Sequence, residues 1–197
     1  MNRHFLPTVV ILAGPNGAGK STVGPSLLRD TLKVHEFVNA DTVAQGLSAF
    51  RPEGAAIQAG RVVLERIGEL SRARKSFALE STLAGRSLAV RVARLRGGGY
   101  TVHLVYLWLA SPELAIKRVA ERVNKGGHDV PVPIVQRRYA KGLRNFFDLY
   151  RPLADRWRLY DNSTVAGPSL VAKGKHASVT HVLDKVTWTK VMGRLTK

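Results

Sequence analysis

The sequence predicts a three-layer α/β fold in which a central, mainly parallel sheet of five to six strands carries helices on both faces. Three observations predict it. Short apolar, β-branched runs recur along the chain, separated by stretches with helical spacing, the order of strand–helix–strand units. The runs at 8–13 and 100–109 are apolar at nearly every residue, as strands buried on both faces are. The first of them leads straight into Gly14-Pro15-Asn16-Gly17-Ala18-Gly19-Lys20-Ser21, which fits the phosphate-loop pattern G-x-x-x-x-G-K-[ST] with no mismatch.

Each fixed position of that pattern has a physical reason. A loop wrapped around a polyphosphate turns its N–H groups inward, and glycines at 14, 17 and 19 permit this without a clashing Cβ. Pro15, Asn16 and Ala18 fill the loop between them, and Thr22 follows in the first helix, expected over 22–29 despite Pro25. Lys20 is placed to reach the β- and γ-phosphates, Ser21 to offer its hydroxyl to Mg²⁺, and the helix to present its positive dipole end. At ordinary residue usage the four fixed positions match by accident in roughly one chain of this length in a hundred.

Composition sets the remaining bounds. With 197 residues, 45% of them hydrophobic, the chain suits one domain spanning 1–197. It has no cysteine, which excludes disulfides, thiolate metal sites and a cysteine nucleophile. No apolar stretch approaches about 18 residues, and residues 1–7 lack the apolar core of a secretion signal, so a cytoplasmic protein without a membrane segment is expected. Lys and Arg number 31 against 14 Asp and Glu, a net charge of +17 that favours anionic partners: nucleotides, nucleic acid or an acidic protein. The basic residues are dispersed, and a purely solubilising surface accounts for them as well.

A second strand is expected over 34–38, ending in Asn39-Ala40-Asp41-Thr42. Ligands of open α/β sheets bind beyond the carboxyl ends of strands, so Asp41 stands where a general base for a hydroxyl is needed. It is equally suited to capping the next helix. Pro52-Glu53 opens a scaffold helix over 54–72, with Ile57, Val62, Val63, Ile67 and Leu70 as its apolar face. A third strand at 76–79 runs into Glu80-Ser81-Thr82-Leu83, placing another acid and another hydroxyl at a strand end, with a helix over 86–96 behind it. Ser111-Pro112-Glu113 starts a helix with cap, first-position proline and early acid in their preferred places. That helix carries Lys117, Arg118 and Arg122 about one turn apart.

Residues 122–139 read as a lid: Gly126-Gly127 as a hinge, Pro131 and Pro133, then a helix bearing Arg137 and Arg138. Arginines aimed at a transferred phosphoryl stabilise its charge. His128 lies within this segment but has no metal-spaced partner for a zinc site. Further strands are expected at 157–163 and 169–172, and over about 176–195, where Val179, Val182, Leu183 and Val186 have helical spacing, a docked basic helix or, equally, a frayed end.

Together the loop, Phe37-Val38-Asn39-Ala40-Asp41, Glu80-Ser81-Thr82-Leu83 and the 122–139 segment resemble the zeta toxin family, in its short chromosomal branch, over about residues 8–172. The resemblance implies a P-loop kinase fold using ATP and Mg²⁺ to phosphorylate a sugar hydroxyl of UDP-N-acetylglucosamine. By it, Asp41 looks like the catalytic base, Lys20 and Ser21 like the nucleotide and Mg²⁺ ligands, and Asn39, Glu80 and Thr82 like acceptor contacts. Arg122 looks like the phosphate-contacting arginine, with Arg138 or Arg137 as a second. The family's neutralising partner would be a separate acidic helical antitoxin. The sequence departs from the better-known toxins at Gly126-Gly127-His128-Asp129-Val130-Pro131. Two other readings stand beside this one: a kinase for a nucleic-acid 5′-hydroxyl or another nucleotide, and a non-catalytic nucleotide-dependent interaction ATPase. No aromatic-studded basic strand supports the former.

Overall fold

A computed structural model describes residues 6–26, 28, 34–48 and 52–195. Its strands are β1 (Thr8–Ala13), β2 (Glu36–Val38), β3 (Phe77–Ser81), β4 (Thr101–Trp108), β5 (Arg156–Asp161), β6 (Ser169–Lys175) and β7 (Ser178–Val182). They form a sheet in the order β2-β3-β1-β4-β5-β6-β7, parallel from β2 to β5 and antiparallel from β5 to β7. The helices are α1 (Lys20–Ser26), α2 (Ala40–Leu47), α3 (Ala56–Arg72), α4 (Ser87–Gly97), α5 (Pro112–Asn124), α6 (Val132–Asn145) and α7 (Lys185–Gly193). None of them is long and apolar enough to cross a membrane.

The central strands are apolar throughout because both faces are covered. On one face Val9, Ile11 and Ala13 of β1 join Ile67 and Leu70 of α3, Val92 and Leu95 of α4, and Val191 of α7. On the other, Leu12 meets Ala115 and Val119 of α5 and Val135 and Tyr139 of α6. Each such aliphatic burial contributes about 1.5–3 kcal/mol before chain entropy is counted.

Several expectations need correction. The sheet has seven strands, not five to six, because residues 176–195 do not form one helix. His176, at φ 49, turns the chain back, β7 pairs with β6, and only Lys185–Gly193 is helical, capped by Asp184, whose carboxylate accepts from Thr187 N–H at 2.9 Å. The helical spacing of Val179, Val182 and Val186 misled because β-branched Val179, Thr180 and Val182 fit a strand equally well. On α3 the stripe facing the core runs Ala59, half-buried Val63, Ile67 and Leu70, while Ile57 and Val62 are exposed. A small residue on a buried face carries little hydrophobic signal, which is why Ala59 did not reveal it. Helix α1 starts at Lys20, and its expected end at Arg29 lies outside the described residues.

Candidate active site

Between β1 and α1 the chain takes the conformation the glycines permit. Gly14, Gly17 and Gly19 have φ of 145°, 76° and 80°. A Cβ would lie 2.4 Å from Leu107 O at Gly14, 2.7 Å from Ala115 O at Gly17 and 2.7 Å from Asn162 Nδ2 at Gly19. The loop is thus seated against β4, α5 and the turn after β5. Asn162, buried, fixes it by donating Nδ2–H to Ala18 O at 2.9 Å.

The β1–β3 register places Leu12 beside Glu80 and Ala13 beside Ser81, bringing the end of β3 against the loop. The Glu80 carboxylate accepts from Ser21 Oγ at 3.2 Å and Asn39 Nδ2 at 2.9 Å, and its other oxygen is 3.6 Å from Lys20 Nζ. Lys20, buried, also donates to Gly14 O and Pro15 O, each at 2.9 Å. Burial pushes the Lys20 ammonium below its ordinary pKa, against the opposing pull of Glu80 and Asp41.

The cap at β2's end is not Asp41. Asn39 takes the cap: its Oδ1 accepts from Asp41 N–H at 2.8 Å and Thr42 N–H at 3.4 Å. The exposed Asp41, in the first turn of α2, lines the same cleft as Lys20, Ser21, Glu80 and Thr82. That cleft has a volume of about 400 Å³.

Its opposite wall is basic, built from Arg118, Arg122 and Arg138. Arg118 donates to Asn162 O at 2.7 Å and Ser163 O at 3.1 Å, and Arg138 Nη1 to Asn16 Oδ1 at 3.4 Å. Arg122 Nη2 donates to His128 O at 2.5 Å, and Gly127 leaves room for it, since a Cβ there would meet Arg122 Cγ at 2.5 Å. Arg122 Nε is buried without a hydrogen-bond partner among the described residues. Arg137 is exposed and does not line the cleft, and Gly14 and Pro15 contribute carbonyls to Lys20 rather than cleft surface.

Within the expected lid, Val130, Val135 and Tyr139 are buried, and Tyr139 donates its hydroxyl to Leu109 O at 2.7 Å. Helix α6 also touches β3's end closely: a Cβ on Gly142 would lie 2.3 Å from Thr82 O. Leu83, next in line, is buried at φ 56, with its N–H given to Ser81 Oγ at 3.0 Å and its carbonyl accepting from Asn145 Nδ2 at 2.7 Å. A leucine in the left-handed region is strained and persists because its surroundings enforce it.

Sequence reading did not single out Arg118 or Asn162 as site residues. Asn162 follows the carboxyl end of β5, so the strand-end logic that selected Asp41 and Glu80 would have selected it too. Among the described residues no three His, Cys, Asp or Glu side chains form a metal-binding group. The donor set fits Mg²⁺ brought with a triphosphate: this ion keeps waters and phosphate oxygens, and needs from the chain only Ser21, with Glu80 behind it.

A glycine-rich loop after the first strand of a mainly parallel sheet, with helices on both sides, defines a P-loop kinase-like fold. The chain belongs to the AAA domain family, whose match covers residues 9–147. It is 32% identical over 130 residues to an uncharacterised protein of Haemophilus influenzae, spanning 66% of this chain and 91% of that one. Its structure is similar to that of the AvrRxo1-ORF1:-ORF2 complex with ATP, with a TM-score of 0.73 and 17% identity. That match covers 95% of this chain, which spans only 64% of the other's length. It is also similar to the PezAT chromosomal toxin–antitoxin system of Streptococcus pneumoniae, with a TM-score of 0.64 and 17% identity, covering 99% of this chain and 90% of that one.

Proposed function

We propose that the protein is a kinase that transfers the γ-phosphate of ATP to a hydroxyl of a nucleotide sugar, UDP-N-acetylglucosamine, in the manner of zeta toxins. The observation that carries this reading is the convergence of loop, strand-end acids and arginines on one cleft. ATP with Mg²⁺, when bound, supplies the phosphoryl group and a divalent charge. The loop amides and α1 hold the phosphates, and Lys20 exchanges its loop carbonyls for phosphate oxygens. Glu80 orients Ser21 and Lys20 from behind. Asp41, relieved of capping by Asn39, accepts the acceptor hydroxyl's proton. Thr82 and Asn39 bound the acceptor side. Arg122 and Arg138 face the moving phosphoryl and offset its charge, with Arg138 rather than Arg137 in that role.

In this reading the kinase acts in the cytoplasm, and an acidic helical antitoxin is the partner that the zeta-toxin reading implies. Incubation with ATP, Mg²⁺ and a nucleotide-sugar panel, read by mass spectrometry, tests the reading. A phosphate-sized gain on UDP-N-acetylglucosamine is expected; a gain only on another acceptor overturns the acceptor, and free phosphate alone overturns the kinase. Asp41→Asn should retain ATP binding and lose transfer by about 10²–10⁴-fold. Undiminished transfer would remove Asp41 as base.

A further inference from the structure

The antiparallel end of the sheet shows a row of cations on the face that carries alternate residues of β5. Arg156 and Arg158 are exposed at those alternate positions. Arg158 lies directly opposite Lys173 of β6, and Lys173 directly opposite His181 of β7. Toward the sheet's centre Arg156 lies opposite His103 of β4, and Lys175 follows Lys173 two residues on. Directly opposed residues share a face, as do residues two apart in a strand. Arg156, Arg158, Lys173 and Lys175 therefore form one basic plaque on β5 and β6, flanked by His103 of β4 and His181 of β7, and the six residues span four strands, about 15 Å at about 4.8 Å per strand.

Its cations are left without paired carboxylates among the described residues. Like charges directly opposed on neighbouring strands are destabilising. Among the described residues, none of Arg156, Arg158, Lys173 and Lys175 forms an ion pair. The adjacent acid, Asp155, is already engaged, accepting from Val102 N–H at 2.8 Å and standing 3.6 Å from Arg96. The aromatic on this face, Tyr160, two residues past Arg158 and opposite Leu170, is half-buried against the core that holds Leu107 and Val119, and Val179, the exposed aliphatic of β7, is paired with Gly174 and so lies on the Trp157 side of the sheet. Protein partners bind through desolvated aromatic or apolar anchors. Nucleic-acid backbones are bound by lysines and arginines that neutralise successive phosphates, with no such anchor required.

We propose that this face docks the phosphate backbone of nucleic acid. The net charge of +17 draws the polyanion in, and the plaque fixes where it rests. None of the six residues lines the catalytic cleft. The inference therefore stands or falls independently of the kinase reading.

Fluorescence anisotropy of the full chain with a labelled DNA duplex of about twenty base pairs, repeated across salt concentrations, tests it. Binding should weaken with salt at a slope of about −0.9 per phosphate contact. The triple variant Arg156→Gln, Arg158→Gln, Lys173→Gln should lose at least about tenfold in affinity near 100 mM salt and flatten the slope by about 2–3. A control triple that removes the same charge elsewhere, Arg72→Gln, Arg94→Gln, Lys190→Gln, should lose less than about twofold in the same titration. Removing opposed like charges should leave the melting temperature no lower than that of the parent. Should the triple nevertheless unfold, the double variant Lys175→Gln, His181→Gln at the sheet's edge makes the same comparison. Equal losses in plaque and control variants, or salt-insensitive binding, overturn the proposal. So does a poly-glutamate peptide that displaces the duplex at lower charge concentration, because it would assign the face to an acidic protein.

Discussion

The two ends of this sheet use strands differently. From β2 to β4 the strands are parallel, and β1 and β4 are wrapped on both faces; their side chains support, and the cleft opens where the parallel strands end, at Asn16, Asn39 and Glu80. From β5 to β7 the strands are antiparallel and half-covered: Trp157, Leu159 and Ala172 face the core, and Arg156, Arg158 and Lys175 face solvent. A strand covered on both sides can present function only at its ends, whereas a strand covered on one side can present it along its length.

Three experiments would break or sharpen this contrast. The largest effect is expected at Trp157, which underlies the antiparallel end. It packs edge-to-face on Phe146 at 5.9 Å, stacks with Trp188 at 6.5 Å and donates Nε1–H to His176 O at 3.0 Å. Trp157→Ala should cost about 3–5 kcal/mol in urea unfolding, while phosphoryl transfer per folded molecule stays near the parent's. A loss of transfer in fully folded protein would show that the two ends are not separate in function. Next, Lys20→Ala should reduce transfer from ATP by about 10²–10³-fold, with a melting temperature close to the parent's, because burial already disfavours its charge. Collapse of the melting temperature instead would make the loop a structural support.

The smallest effect concerns acid stability. Burial, followed by the charges of Arg156 and Arg158, holds His103 below its ordinary pKa. On acidification the unfolded chain therefore takes up this proton before the folded one does. The associated stability is intact above the ordinary histidine range and is lost as pH falls through it toward the lower folded value. His103→Gln should flatten that part of the pH–stability curve, and superimposable curves would dismiss the contribution.

Much of the cleft end was legible because its information is local. The loop is eight consecutive residues, and the strands beside it declare themselves by uninterrupted apolar character. Asp41 was ambiguous for a local reason too: Asn39 and Asp41 are both good caps, and only the extended backbone of Asn39, at φ −129° and ψ 119°, decides between them. The arginines were less legible. Arg137 and Arg138 are neighbours on α6 pointing about 100° apart, and the choice follows from how α6 is seated. Val135 and Gly142 are buried, with Gly142 against Thr82, and Arg138 shares their face by its spacing of three and four residues. Strand β6 was foreseen in part, at 169–172, but β7 was missed because its valines suit either period, and a strand at a sheet edge has few apolar residues to mark it.

By itself, then, the sequence determined the phosphate loop, the parallel strands that carry it and the acids at their ends, since backbone freedom and burial on both faces are written in adjacent residues. Only the tertiary structure decided which arginine faces the cleft, that Asn162 braces the loop, and that the basic tail closes the sheet as a hairpin. Those outcomes rest on contacts such as Asn162 to Ala18 and Arg138 to Asn16, separated by 144 and 122 residues. No local pattern encodes a hydrogen bond between residues so far apart; it forms only when the packing of the sheet and its helices brings them together.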